Sequence, residues 1–111
     1  MIFKESELIK EQRIGAWEGY KTKLLQDEML QEKCKLFAKI SVKPGHSVPL
    51  HKHIDDFEAY YILNGKAKAN DNGVESFLEA GDVLFTKSGE CHSIENIGNN
   101  DLEFIALILP K

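Results

Sequence analysis

The chain of 111 residues lacks several features that would assign it to a specialised class of protein. No stretch approaches the run of about 18 apolar residues that a membrane-spanning helix requires. The two cysteines, Cys34 and Cys91, are too few and too far apart for a disulfide framework or a Cys-x-x-Cys zinc site. We therefore expect a soluble protein that has no membrane partner and keeps both thiols reduced.

Positive charge is dispersed along the chain. The net charge is -4, and the lysines form no basic stripe of the kind that binds a phosphate backbone. This distribution argues against nucleic acid as a partner. The first residues, Met1 to Glu7, mix acidic and basic side chains and have no apolar core of a secretory signal, so we expect a cytoplasmic location.

Short segments with β-strand character follow one another without a linker or a repeat, which predicts one domain over residues 1–111. The clearest alternation of apolar and polar residues covers 35–42. Residues 58–63 are aromatic and β-branched, and Asn64-Gly65 after them predicts a type I′ hairpin leading into a strand over 66–70. Further strands are predicted at 74–78, 83–86 and 102–109, separated by turn residues. Even spacing of short strands is typical of an all-β sandwich or barrel.

The first 34 residues allow two interpretations. Residues 24–33 are good helix formers, so propensity alone predicts a helix. Pairing between the flanking segments would instead give a hairpin with its turn near 27–31, because tertiary pairing commonly overrides propensity. We favour strands here.

Three of the four histidines and one glutamate form a candidate metal site. His51 and His53 are two residues apart, so on an extended chain they share a face at a spacing of about 6.6 Å. Glu58 follows at the start of the next strand, and His92 must come from a distant one. Three imidazoles and a carboxylate suit one divalent transition metal, Mn, Fe, Ni, Cu or Zn, and leave positions open for water, substrate or dioxygen.

The spacing of these residues resembles the two signature motifs of the cupin superfamily. The first motif is matched at every position, G-x5-H-x-H-x4-E-x6-G, from Gly45 to Gly65. The second is matched by Gly81, Gly89, His92 and Asn96, with Lys87 where the motif usually has proline. The resemblance implies a single-domain jelly-roll β-barrel of two antiparallel sheets, with residues 45–96 as its metal-binding core. It also implies a metal held by the ligand set His51, His53, Glu58 and His92.

The same resemblance implies a homodimer, to which residues 1–20 would contribute as an N-terminal extension. It does not fix a reaction. One hypothesis is a metalloenzyme acting on a small oxygenated molecule by dioxygenase, isomerase or decarboxylase chemistry. The other is a non-catalytic binding or sensing protein in which the metal is structural. No catalytic residue is identified beyond the ligands.

Five further residues within 45–96 lie outside the proposed ligand set. The sequence favours a solvated His46 over one that contacts a substrate. It favours hydrated carboxylates for Asp55 and Asp56 over acceptors that support a metal-binding histidine. Tyr60 shares a face with Glu58, so its hydroxyl points into a pocket or its ring packs in the core. Asn96 is expected to hydrogen-bond the backbone of a turn rather than a metal.

Overall fold

The computed structural model describes residues 1–111 and is built almost entirely of β-strands. One 3-10 turn, Glu5–Glu7, and one helical turn, α1 (Asp27–Leu30), are its helical elements. The strands in chain order are β1 Lys10–Arg13, β2 Gly19–Lys23, β3 Leu36–Val42, β4 Ser47–Lys52, β5 Asp56–Asn64, β6 Lys66–Asp71, β7 Val74–Glu79, β8 Val83–Thr86, β9 Cys91–Asn96 and β10 Leu102–Pro110.

Two antiparallel sheets make up the fold. The six-stranded sheet has the order β1-β2-β3-β10-β5-β8, and the four-stranded sheet has the order β4-β9-β6-β7. Alternate side chains of β3, β5 and β10 are buried, because residues with period two point to the same side of a strand. The predicted all-β jelly roll is confirmed. The residues that form the core are Ala38, Ile40, Val42, Tyr60, Ile62, Ala67, Ala69, Leu84, Ile94, Leu102, Phe104 and Ala106.

The hairpin predicted at Asn64-Gly65 is wrong. The strands on either side exist, but β5 belongs to the six-stranded sheet and β6 to the four-stranded sheet, so they do not pair. Only Gly65 has a positive φ, of 97°, whereas a type I′ turn requires two such residues. A Cβ on Gly65 would lie 3.1 Å from Cα of Leu102, so glycine permits a close backbone approach where the chain crosses between sheets.

The next Asn-Gly pair along the chain does form a hairpin. Asn72 and Gly73 both have positive φ, 50° and 97°, and they join β6 to β7, which pair antiparallel. The two Asn-Gly pairs therefore differ in their tertiary setting rather than in their local sequence.

The N-terminal third forms strands, as we favoured, with a longer connection than predicted. β2 pairs antiparallel with β3, from Gly19 opposite Val42 to Lys23 opposite Ala38. Of residues 24–33, which are good helix formers, only α1 is helical. It ends where Gln31 and Glu32 adopt positive φ. β1 is an edge strand of the six-stranded sheet. The dimer, the role of residues 1–20 in it and the cytoplasmic location stay predictions.

None of the helical segments is long and apolar enough to span a membrane. Both cysteines are free.

β4 is irregular at the point where it carries the first histidines. It is an edge strand of its sheet, and its register with β9 shifts between Val48 and His51. Pro49 lies in this shift, where a residue without an N–H is tolerated. The register resumes with His51 opposite His92, which places both imidazoles on one face of the sheet.

Candidate metal centre

The four residues singled out by the sequence come together between the two sheets. β4 supplies His51, the loop after it supplies His53, and β9 supplies His92. Glu58 comes from β5 of the facing sheet. One potential ligand atom from each residue lies within 4.8 Å of all the others.

The separations between these atoms are short. Nε2 of His92 is 3.0 Å from Nε2 of His51 and 3.1 Å from Nε2 of His53. Oε1 of Glu58 is 2.9 Å from Nε2 of His53, 3.0 Å from that of His92 and 4.0 Å from that of His51. Two ligands about 2.1 Å from one ion and at right angles to each other would lie about 3 Å apart. The cluster therefore fits a divalent metal.

The second ring nitrogen of each histidine has its own partner. The pairs are His51 Nδ1 with the Pro49 carbonyl (2.8 Å), His53 Nδ1 with the Asp56 carboxylate (2.7 Å) and His92 Nδ1 with the Thr86 hydroxyl (2.7 Å). A carbonyl and a carboxylate only accept hydrogen bonds, so in neutral His51 and His53 the proton sits on Nδ1. Their Nε2 lone pairs then face the centre, as in metal-binding histidines whose outer nitrogen donates to a neighbour.

The carboxylate of Glu58 is not fully hydrogen-bonded within the cluster. Its side chain is 4% exposed, and its Oε1 is buried without a hydrogen-bond partner. Buried polar groups are rarely left in this state, because the loss of hydration is then uncompensated. Lone pairs and a carboxylate oxygen that meet in one place would be satisfied together by a cation.

Asp56 supports His53, and the expectation that this carboxylate is simply hydrated is wrong. Its Oδ1 accepts a hydrogen bond from His53, and its Oδ2 lies 3.2 Å from Nζ of Lys35. Burial alone would raise the pKa of Asp56, but the hydrogen bonds and charges of His53 and Lys35 outweigh it and hold the pKa below its usual range. A carboxylate three residues after His53 was the available signal, and it was weak because loop carboxylates are usually hydrated.

Tyr60 combines both roles that the sequence left open. Its ring packs on Phe104, with centroids 4.4 Å apart, and its hydroxyl lies 3.4 Å from Nε2 of His92. Burial, reinforced by the negative charge of Glu58, raises the pKa of Tyr60 well above its ordinary value. The hydroxyl therefore keeps its proton beside the centre.

A cavity of about 160 Å³ adjoins the centre on the side of His51 and Glu58. His51 is the accessible member of the cluster, with 40% of its side chain exposed, against 6% for His53 and 1% for His92. Lys21 and Tyr60 also line the cavity. Its remaining walls are apolar and come from Trp17, Leu36, Ile40, Val48, Ala106 and Ile108.

Two other predicted residues have structural roles. His46 is partly exposed, with Nδ1 3.3 Å from the Gly15 carbonyl, and stands outside the cluster as expected. Asn96 donates to the carbonyls of Val42 and Asn100, both at 2.8 Å, and accepts from Gly98 N–H. The prediction that Asn96 would bind turn backbone is confirmed.

Residues 38–108 match the family model of the cupin domain. This range includes all four residues of the cluster and most of both sheets. The chain belongs to the cupin family. The resemblance drawn from the two motifs is thereby confirmed.

Relatives of this cupin include proteins named for oxalate. The chain is 48% identical over 113 residues to an oxalate-binding protein of Thermotoga maritima, covering 98% of this chain and 93% of that protein. It also matches the crystal structure of a predicted oxalate decarboxylase from Thermotoga maritima, with a TM-score of 0.90 and 46% identity over the full length of both chains. Oxalate decarboxylase of Bacillus subtilis is 35% identical over 75 residues, which cover 63% of this chain but 20% of that enzyme.

Proposed function

We propose that this cupin holds one divalent transition metal through His51, His53, Glu58 and His92 and binds a small carboxylic acid of the oxalate class beside it. The observation that carries the proposal is the meeting of three imidazole Nε2 atoms and the unpartnered Oε1 of Glu58 at the wall of a small cavity. Nitrogen and oxygen ligands of this kind suit Mn, Fe, Ni, Cu or Zn.

An anionic ligand suits the charge of this site. A bound divalent metal would supply Lewis acidity and attract carboxylate oxygens. The chain contributes one negative charge to the ligand set, that of Glu58, so the site keeps a net positive charge toward the cavity. His51, as the most exposed member of the cluster, lies on the side from which a ligand would enter.

The size of the cavity restricts the ligand. Its volume of about 160 Å³ is close to that of an engineered protein cavity of roughly 150 Å³ that binds benzene, a molecule of six heavy atoms. Oxalate also has six heavy atoms. The similarity to the oxalate-binding protein of Thermotoga maritima supports the same ligand class.

The cavity favours binding over turnover. Apart from His51 and Glu58 it is lined by no imidazole or carboxyl group, the side chains that most often act as general bases. Turnover by decarboxylase, dioxygenase or isomerase chemistry is the second candidate. The observation in its favour is the Tyr60 hydroxyl, a protonated donor held 3.4 Å from Nε2 of His92.

Calorimetric titration of oxalate tests the leading proposal. We expect one oxalate to bind per chain when the protein has been loaded with Mn²⁺, and no measurable binding to the metal-free protein, because the carboxylate at the centre then faces Glu58 without the metal ion. Equal binding with and without metal would refute metal-dependent recognition.

The same samples separate binding from turnover. Oxalate remaining intact during incubation with metal-loaded protein is the result expected of a binding protein. Formate and carbon dioxide formed by the wild type, and not by His92→Ala, would establish decarboxylation instead.

A further inference from the structure

Lys21 is a charged residue on the inner face of the fold. In the β2–β3 pair it lies directly opposite Ile40, which is 4% exposed and belongs to the core. Residues directly opposite each other in an antiparallel pair project to the same side of the sheet. Lys21 therefore projects inward with Ile40, whereas Lys39 on β3 projects to the outer side, opposite Thr22.

An inward lysine loses hydration and requires a compensating anion. The anion available within the chain is Glu11 of β1, whose Oε2 lies 3.5 Å from Nζ of Lys21. This pair is loose and partly exposed, with 24% of the Lys21 side chain and 42% of the Glu11 side chain accessible. Ion pairs of this kind are weak, so a better-placed carboxylate can take the place of Glu11.

We propose that Lys21 binds the second carboxylate of a dicarboxylate whose first carboxylate lies at the metal. This inference rests on the proposed function. Lys21, His51 and Glu58 line one cavity of about 160 Å³, so a small ligand bound there has both the metal side and the lysine among the surrounding residues. Lys21 is the only lysine or arginine among the cavity residues.

Charge balance indicates the preferred ligand. A divalent metal with one carboxylate ligand keeps one positive charge, and Lys21 adds a second. The two together match the two negative charges of oxalate. A monoanion of the same shape, such as oxamate, leaves one positive charge uncompensated, so Lys21 makes the site selective for the dianion.

The test compares oxalate and oxamate binding to Mn²⁺-loaded wild type and Lys21→Met. We expect oxalate affinity to fall about tenfold or more in the variant, because a charge-assisted hydrogen bond is lost, and oxamate affinity to change less than about threefold. Lys21→Arg should restore most of the preference for oxalate. Lys39→Met is the matched control, since Lys39 also has a cross-strand ion pair, 3.6 Å to Glu103, but does not line the cavity.

The experiment distinguishes failure of the proposed function from failure of the proposed role of Lys21. If the wild type binds no oxalate, the proposed function is wrong. If the wild type binds oxalate and Lys21→Met keeps the same ratio of oxalate to oxamate affinity, the role of Lys21 is wrong and the proposed function stands. Loss of bound Mn²⁺ or a lower unfolding temperature in both Lys21→Met and Lys21→Arg would show that Lys21 supports the fold instead.

Discussion

Glu58→Gln should weaken metal binding by about 100-fold and, in the metal-free protein, raise the free energy of unfolding. The two effects have opposite signs because Glu58 suits a cation and not an empty site. Its buried Oε1 has no donor, although two imidazole Nε2 atoms lie at 2.9 and 3.0 Å. A glutamine amide can donate to those nitrogens, and satisfying buried groups of this kind contributes about 1–3 kcal/mol. As a metal ligand, however, the neutral amide lacks the charge of a carboxylate.

Denaturant unfolding of the metal-free proteins at pH 8 and competitive metal titration would measure the two effects. Glu103→Gln is a suitable control, because Glu103 has a partly exposed ion pair with Lys39 and lies outside the cluster. A metal-free Glu58→Gln protein less stable than the wild type would contradict the prediction. It would indicate that Glu58 and protonated histidines stabilise the fold as ion pairs without a metal.

His92→Ala should abolish tight metal binding. His92 is the central member of the cluster, since its Nε2 lies within 3.1 Å of the ligand atoms of the three other residues. It is 1% exposed, so no solvent-exposed side chain can replace it readily. Losing a residue that only supports a ligand costs about 10–100-fold in metal affinity, and losing the ligand itself should exceed this.

The matched control for this variant is His46→Ala. His46 is the one histidine outside the cluster, and its partly exposed ring contacts the Gly15 carbonyl and Glu18. A zinc or manganese titration with a chelating indicator should give wild-type affinity for His46→Ala and none above background for His92→Ala. Similar affinity in both variants would refute the assignment of His92, provided that both unfold cooperatively.

The positions of several strands were predictable from the alternation of apolar and polar residues. The alternation over 35–42 corresponds to β3, and the predicted strand over 83–86 coincides with β8. Pairing was less predictable, because an Asn-Gly pair is compatible with both a hairpin and a crossing between sheets. Gly65 is at such a crossing because the backbone near Leu102 comes within contact distance, and that approach depends on tertiary structure.

The four proposed metal ligands were predictable from the sequence, but the residues that hydrogen-bond them were not. Ligand types and spacing identified His51, His53, Glu58 and His92, which the fold does bring together. Asp56 and Thr86 carry no pattern of their own. Their contacts with the outer ring nitrogens depend on the register of β5 and on the end of β8, which a single sequence does not specify.

The sequence also did not predict that Lys21 projects toward the interior of the fold. It follows from the pairing of β2 with β3, in a region where helix and hairpin were both plausible. Once the register is known, the same alternation that explains the core places a cation in the cavity beside the centre.

Elemental analysis of the purified, untagged protein, beside the double variant His51→Ala/His53→Ala, tests the metal centre most directly. We expect close to one transition metal ion per wild-type chain and essentially none in the variant. The element found would also direct the choice between a binding protein and an enzyme. Absence of metal from the wild type, even after loading with Mn, Fe, Ni and Zn, or equal metal in both proteins, would contradict the proposed centre.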